Sequence, residues 1–407
     1  MKISVVGAGP AGLYFSILVK KRHPHWTINV VEQNSPDSTF GFGIVLASGG
    51  LKRLEAADAQ TYQALVKNMT FTTHQIITLG ETAVSIKRPH GGGGAIARID
   101  LLTQLQKVAL AAGVNIRFGV RFDDPISMPE LLASDVVVGA DGVNSMVRAG
   151  DEAGFGTTHD ALTNHFAWFG VGKAFPTSAL VFREYRGGAF VAHYYPYSAG
   201  NSTFVAECDH ATWQLLGMEA MDAEARQALF ETVFAPELDG HKLISNNSTW
   251  RQFPVIRNAH SVSGKTVLLG DAETSAHFSI GSGTRIAMDD AMALADALTA
   301  DGDDASVTPV QRLQQFEKVR GPEKAKLIGA SQNSYRWYED MGRWMRRYSP
   351  LEFIHAYMTR TGRMGNGKLA VHYPELVQQL VKAGVMSPED ASAAGQHSAM
   401  QPVGSGE

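Results

Sequence analysis

The apolar positions of this chain follow two different periodicities. Uninterrupted short runs occur at Ile3 to Val6, Thr27 to Val31 (TINVV), Val136 to Val138 and Thr266 to Leu269 (TVLL). Runs of this length without polar alternation suit strands covered on both faces, as in a parallel sheet. Helical spacing predicts helices from Leu13 to Lys21, around Leu51 to Val66, and from Ala97-Arg98-Ile99-Asp100 to about Ala112, with a short strand resuming at Asn115 to Phe118. Between Asn164 and Glu207 the pattern changes to strict alternation, as in Phe190-Val191-Ala192-His193-Tyr194-Tyr195, which predicts an antiparallel sheet. Two glycine-rich stretches read as non-regular: a loop at Phe40-Gly41-Phe42-Gly43 and a turn at Gly91 to Gly94.

These changes divide the chain. Residues 1–160 and 258–330 are expected to form one discontinuous α/β domain, with part of 40–95 contributing to its neighbour. Residues 161–257 form a β-sheet domain, 331–385 a set of C-terminal helices, and the small, polar segment 386–407 a disordered tail. Composition narrows the class. A chain of 407 residues with 44% hydrophobic and 19% charged positions is globular, and a formal charge of -4 gives no electrostatic reason to expect nucleic acid or a membrane surface as partner. The lone Cys208 excludes an internal disulfide and a multi-cysteine metal site, and no metal is expected. Glycines interrupt the apolar N-terminus, and no apolar run reaches about 18 residues, so the expected setting is the cytoplasm.

The first strand leads into Gly7-Ala8-Gly9-Pro10-Ala11-Gly12 and then a helix, the GxGxxG arrangement in its proper strand-turn-helix context. Gly7 permits the tight turn, Gly9 lets backbone approach a pyrophosphate, and Gly12 lets helix and strand pack closely, with the helix start facing the phosphates. Glu32 ends the second strand at the distance where a carboxylate takes ribose hydroxyls. NAD and FAD both use this fingerprint. A simple NAD dehydrogenase would continue with further βαβ units, whereas here two more strands end in Asp141-Gly142 and Gly270-Asp271.

Taken in order, the Gly7 to Gly12 loop, Glu32, Arg98, Asp141-Gly142 and Gly270-Asp271 resemble the class A FAD-dependent aromatic hydroxylases, with the p-hydroxybenzoate hydroxylase fold. The resemblance implies an α/β, Rossmann-like FAD-binding domain, an antiparallel-sheet substrate domain and C-terminal helices. It implies that Gly7, Gly9, Ala11, Gly12 and Glu32 hold the ADP half of FAD, that Arg98 and Asp271 contact the ribityl and pyrophosphate part, and that Asp141 and Gly142 serve FAD and the nicotinamide nucleotide. Asp37 to Val45, Ser202 to Glu207 and Ala276-His277-Phe278-Ser279-Ile280-Gly281-Ser282-Gly283-Thr284 are similar to the flavin part of salicylyl-CoA 5-hydroxylases and 2-aminobenzoyl-CoA monooxygenases. Glu273-Thr274 departs from the Ala-His usual in that group.

The implied chemistry is oxygen transfer from flavin C4a to an electron-rich ring carbon, with NADH or NADPH and O2 as cosubstrates. A reduced flavin is anionic, and the helix start at Gly281, Gly283 and Thr284 offers N–H groups and partial positive charge to it. His277 and His193 are the candidates for polarising an activating hydroxyl or amine, since imidazole exchanges protons near neutral pH. Phe42, Trp168 and Phe278 are the expected ring-facing positions. The basic, aromatic stretch from Arg336 to Tyr348 reads as a solvated amphipathic face, with a CoA phosphate or a dimer partner as the alternative. The expected substrate is a small aromatic molecule, an aryl-CoA thioester such as salicylyl-CoA, handled by a monomer or homodimer. A free aromatic acid or an indole-type compound stays open as substrate, as does a flavoprotein or binding protein without oxygen insertion.

Overall fold

The run at Ile3 to Val6 becomes the strand Lys2–Val6, inside a six-stranded sheet ordered Val262–Ser263, Thr266–Leu268, Val136–Gly139, Lys2–Val6, Thr27–Val31, Asn115–Arg117. The pairing is parallel except at the outermost Val262–Ser263 strand. Side chains alternate between two cores, which explains why these strands carry no polar alternation. Ile3, Val5, Ile28, Val30, Val136, Val138 and Val267 pack against the helices Pro10–Arg22, Arg98–Ala112 and Gly283–Thr299. Val6, Val31, Val137 and Leu268 point the other way, onto Leu131, Val147 and Phe155. Fully covering an aliphatic side chain of this kind contributes roughly 1.5–3 kcal/mol, so the paired cores make the sheet a rigid base for the loops at its end.

This computed structural model describes residues 1–39, 41–88, 92–121, 128–300 and 306–392. The chain divides into two compact units. The first holds residues 1–70, 93–162 and 252–328, and the second 71–92, 163–251 and 329 onward. The sequence boundary at 328/329 falls within the long helix Pro309–Glu339.

The second unit is built on antiparallel strands Thr158–Val171, Ser202–Cys208, Gly188–Pro196 and Ser178–Tyr185 in spatial order, followed by His74–Leu79, paired parallel, and Thr82–Lys87. Here alternation separates the faces as the pattern predicts. Phe190, Ala192 and Phe204 lie with Trp213, Phe230 and Phe234, while Leu180, Phe182 and Val191 lie beneath Tyr338, Phe353 and Tyr357 of the C-terminal helices.

Several local expectations change. The single helix expected around Leu51 to Val66 is two, Ser48–Ala57 and Ala59–Val66, because Asp58 breaks the first and caps the second by accepting the N–H groups of Gln60 and Thr61. Gly93 and Gly94 belong to the strand Gly93–Ala97 rather than to a turn. A Cβ on Gly93 would lie 2.6 Å from the Leu46 carbonyl oxygen of the paired strand Gly43–Ala47, so glycine here permits close strand approach. Gly91 and Phe40 lie outside the described residues. Met386 is buried and Pro388–Ser392 is helical, which moves the start of the expected tail; residues 393–407 lie outside the described residues.

Candidate active site

The loop Gly7 to Gly12 closes against the Asp141 loop. Gly7 has φ +101°, and a Cβ there would sit 2.3 Å from the Ala140 carbonyl oxygen; one on Gly12 would sit 2.2 Å from the Gly7 oxygen. Both positions are closed by backbone. Gly9 differs, since its Cβ would meet only Ala140 O at 3.9 Å, so the space above it is open. Gly9 also precedes the helix Pro10–Arg22, whose start has Pro10 in the first turn, no side-chain cap and no acidic residue. That start therefore offers N–H groups and a partial positive charge to an anion. Ala11 is buried in the same turn. Glu32 reaches back to this loop: Oε2 accepts the Ala8 N–H at 2.8 Å, and Oε1 accepts from Asn34 N and Nδ2.

Asp141 is engaged within its own loop. Its carboxylate accepts Ser145 Oγ at 2.5 Å and the N–H groups of Met146 and Val147, forming the turn that leads into the helix Met146–Ala149. Burial pushes its pKa up while these hydrogen bonds oppose the rise. Gly142, at φ +82° with nothing within 4 Å of a Cβ, is the open part of the motif. Arg148 was missed from sequence. Its buried guanidinium donates to Val143 O at 2.7 Å and to Ala272 O at 2.8 Å, so one side chain joins the Asp-Gly loop to the Gly-Asp loop.

Asp271 follows Gly270, which turns at φ +59°. It reaches solvent, yet the protein around it is dense enough to push its pKa up, with the charges of Arg98 and Lys324 opposing the rise. Arg98 opens the helix Arg98–Ala112 and donates its N–H to Phe42 O at 2.7 Å.

Gly281, at φ +57°, and Ser282 lead into the helix Gly283–Thr299, again with no side-chain cap and no acidic first turn. Nothing lies within 4 Å of a Cβ on Gly281, and only Ala276 O at 3.9 Å on Gly283. Thr284 sits half-buried in that first turn. These residues fit a dinucleotide flavin: two uncapped helix starts, open glycines beside them, and acidic groups at Glu32 and Asp271.

His277 is buried, and its Nδ1 accepts the Ser279 N–H at 3.2 Å, starting the short 3-10 turn Phe278–Ile280. Accepting at Nδ1 requires an unprotonated nitrogen there, which leaves the proton on Nε2. The ring packs on Phe253 and Phe278, with centroids at 4.7 and 4.2 Å. The Nδ1 contact ties one ring nitrogen of this candidate residue to the local turn. Phe42 and Phe278 are half-buried in the same unit.

His193 and Trp168 belong to the second unit. Trp168 pairs with Val205, Val205 with His193, and His193 with Leu180, so the four side chains stand in one row on one sheet face. His193 is pushed down to about 4 by burial, with the positive charges of Arg88 and Arg360 adding to the shift. At neutral pH it is an uncharged hydrogen-bonding group. Arg251 stacks over Phe166 and Trp168, at 5.5 and 5.8 Å from the ring centroids.

No family model matches the chain. It is 37% identical over 383 residues to a salicyloyl-CoA 5-hydroxylase of a Streptomyces species, covering 91% of this chain and 71% of the relative. This chain belongs to the FAD-dependent aromatic monooxygenases. A protodeoxyviolaceinate monooxygenase of Chromobacterium violaceum is 34% identical over 369 residues, covering 88% of this chain and 94% of the relative. A 3-hydroxy-4-methyl-anthranilyl-[aryl-carrier protein] 5-monooxygenase of Streptosporangium sibiricum is 35% identical over 300 residues, covering 74% and 80%. The fold matches a solved structure of tetrameric 2-methyl-3-hydroxypyridine-5-carboxylic acid oxygenase, with a TM-score of 0.67 at 18% identity over 91% of this chain and 95% of that one. Among the described residues no helix is long and apolar enough to cross a membrane, and no cluster of metal-ligating side chains occurs.

Proposed function

We propose that this monooxygenase hydroxylates the ring of an aryl-CoA thioester of the salicylyl type, using FAD with NADH or NADPH and O2. The carrying observation is the 37% identity to a salicyloyl-CoA 5-hydroxylase along nearly the whole of this chain. A second reading, an aryl group on a carrier-protein thioester, is favoured by the anthranilyl-carrier relative, because CoA and carrier proteins present the acyl group through the same kind of thioester.

In this reading the chain's own groups bind and orient. The N–H groups after Gly9 hold the pyrophosphate and Glu32 the adenosine ribose, while Asp271 and Arg98 take the ribityl region. The helix start at Gly283 and Thr284 supports negative charge on the ring system. When bound, FAD supplies the oxygen-activating chemistry. His193, uncharged at neutral pH, accepts the hydrogen of a ring hydroxyl or amine without removing it outright, and Trp168 and Arg251 line the same sheet face. With a pKa far below that of a phenol, His193 is better suited to accept a hydrogen bond from such a group than to take its proton.

The test is oxidation of NADH and of NADPH by the purified yellow protein, across salicylyl-CoA, 2-aminobenzoyl-CoA, the corresponding carrier-protein thioesters and the free acids. Stimulation by the CoA esters, with a product one oxygen atom heavier, supports the proposal. Stimulation only by free acids or indolic compounds overturns the thioester assignment, and a colourless protein unable to take up FAD overturns the flavin reading.

A further inference from the structure

Behind the Gly270-Asp271 turn lies a set of four buried charged side chains, Glu273 of the departing Glu273-Thr274 pair together with Asp290, Arg320 and Lys324. Asp290, on the helix Gly283–Thr299, is fully buried. Its Oδ1 accepts Arg320 Nε at 2.8 Å; its Oδ2 accepts Lys324 Nζ at 2.7 Å and the Gly270 N–H at 3.2 Å. Lys324 also pairs with Glu273. Arg320 and Lys324 lie one turn apart on the long helix Pro309–Glu339 and are each about 5% exposed, and Glu273 is 8% exposed. Two buried carboxylates and two buried cations balance.

The connections converge on one short segment. Asp290 grips the N–H of Gly270, Lys324 grips the side chain of Glu273, and Asn258 Nδ2 donates to the Glu273 carbonyl. Asp271 is thus suspended between two anchored residues in the turn Gly270–Ala272. Buried ion pairs of this sort cost desolvation and add little net stability over apolar packing, so their presence calls for another role, such as fixing one conformation. Burial drives Lys324 toward its neutral form, and the negative charge of Asp271 opposes this. The ammonium and the Asp271 carboxylate therefore feel one another electrostatically.

We propose that Lys324, through Asp290 and Glu273, is a positioning residue that presents Asp271 to the ribityl side of FAD. This rests on the flavin assignment above. The ADP half is held elsewhere, at the Gly7 to Gly12 loop and Glu32, so the prediction separates the two halves of the cofactor. In Glu273→Ala/Lys324→Met both members of one pair are replaced together, which leaves no buried charge of that pair unpaired.

The full-length apoprotein is titrated with FAD, read by flavin fluorescence, and with ADP, read by competition. For the double variant we expect FAD affinity to fall tenfold or more while ADP affinity stays within twofold of wild type. Glu273→Gln, which keeps the shape and removes one charge, is expected to lose three- to tenfold in FAD affinity with ADP unchanged, and it decides the matter if the double variant does not fold. FAD affinity within twofold of wild type, or equal losses for FAD and ADP, overturns the proposal. Failure of the wild-type protein to bind FAD overturns instead the flavin reading on which it stands.

Discussion

Glycines of the same motif do different work at single positions. Gly7→Ala forces a Cβ to 2.3 Å from a backbone oxygen at a positive φ. It is expected to cost at least ~2 kcal/mol in urea unfolding and to abolish FAD uptake. Gly9→Ala has room in the protein and normal backbone geometry, with φ at -75°. We expect unfolding within ~0.5 kcal/mol of wild type, but weaker FAD binding, because the methyl group occupies the space the cofactor needs. His193 supplies a second residue-scale prediction. With its folded pKa near 4, the imidazole C–H resonances should stay those of a neutral ring from pH 8 to about 5, and Arg88→Gln should raise the titration midpoint. A midpoint above 6 in the wild-type protein would remove His193 as a neutral acceptor. The glycines were legible in sequence because left-handed backbone and close approach leave few alternatives. Arg148, Asp290 and Lys324 were not, since a charged residue in a helix reads as solvated until its buried partners are known. His277 stood out for its neighbours in the motif, whereas its Nδ1 serves the local turn.

Elements show where period alone decides. The parallel strands and the alternating sheet were readable from covered and half-covered patterns, but the alternation hides a buried acid. Glu207 on strand Ser202–Cys208 is 2% exposed and accepts Asn164 Nδ2 at 2.9 Å. Burial pushes its pKa up to about 8; the hydrogen bond from Asn164 opposes the rise, and Glu339 and Asp209 add to it. The folded state thus holds this proton more tightly than the unfolded chain. The resulting stabilisation is complete below the unfolded pKa and is lost as pH rises from about 4.5 through 8. Glu207→Gln removes that loss. Relative to wild type, the variant should gain on the order of 3 kcal/mol between pH 5 and pH 9, measured by chemical denaturation at each pH. A constant difference across that range would contradict a protonated Glu207.

For the whole molecule, the interleaving of the chain matters more than its length. Each unit is assembled from three stretches, so neither can be cut out as one continuous piece. Truncation after Ile328 removes Tyr338, Phe353 and Tyr357, which cover Phe182, Leu180 and Val191 on one face of the second sheet. The shortened chain is expected to bind a hydrophobic dye and to aggregate at concentrations where the full chain stays monodisperse in light scattering. Composition alone indicates only a globular protein; the expectation that residues 1–160 and 258–330 form one discontinuous domain, with part of 40–95 given to its neighbour, comes from the order of strands and motifs along the chain.

The strand Thr266–Leu268 pairs directly with Val136–Gly139, and Arg148 reaches Ala272. A chain that has emerged only as far as residue 250 carries the glycine loop and the Asp-Gly loop but lacks the strand Thr266–Leu268 and the turn Gly270–Ala272. On the proposed flavin reading, nascent chains arrested before the helix Gly283–Thr299 has emerged should not retain flavin.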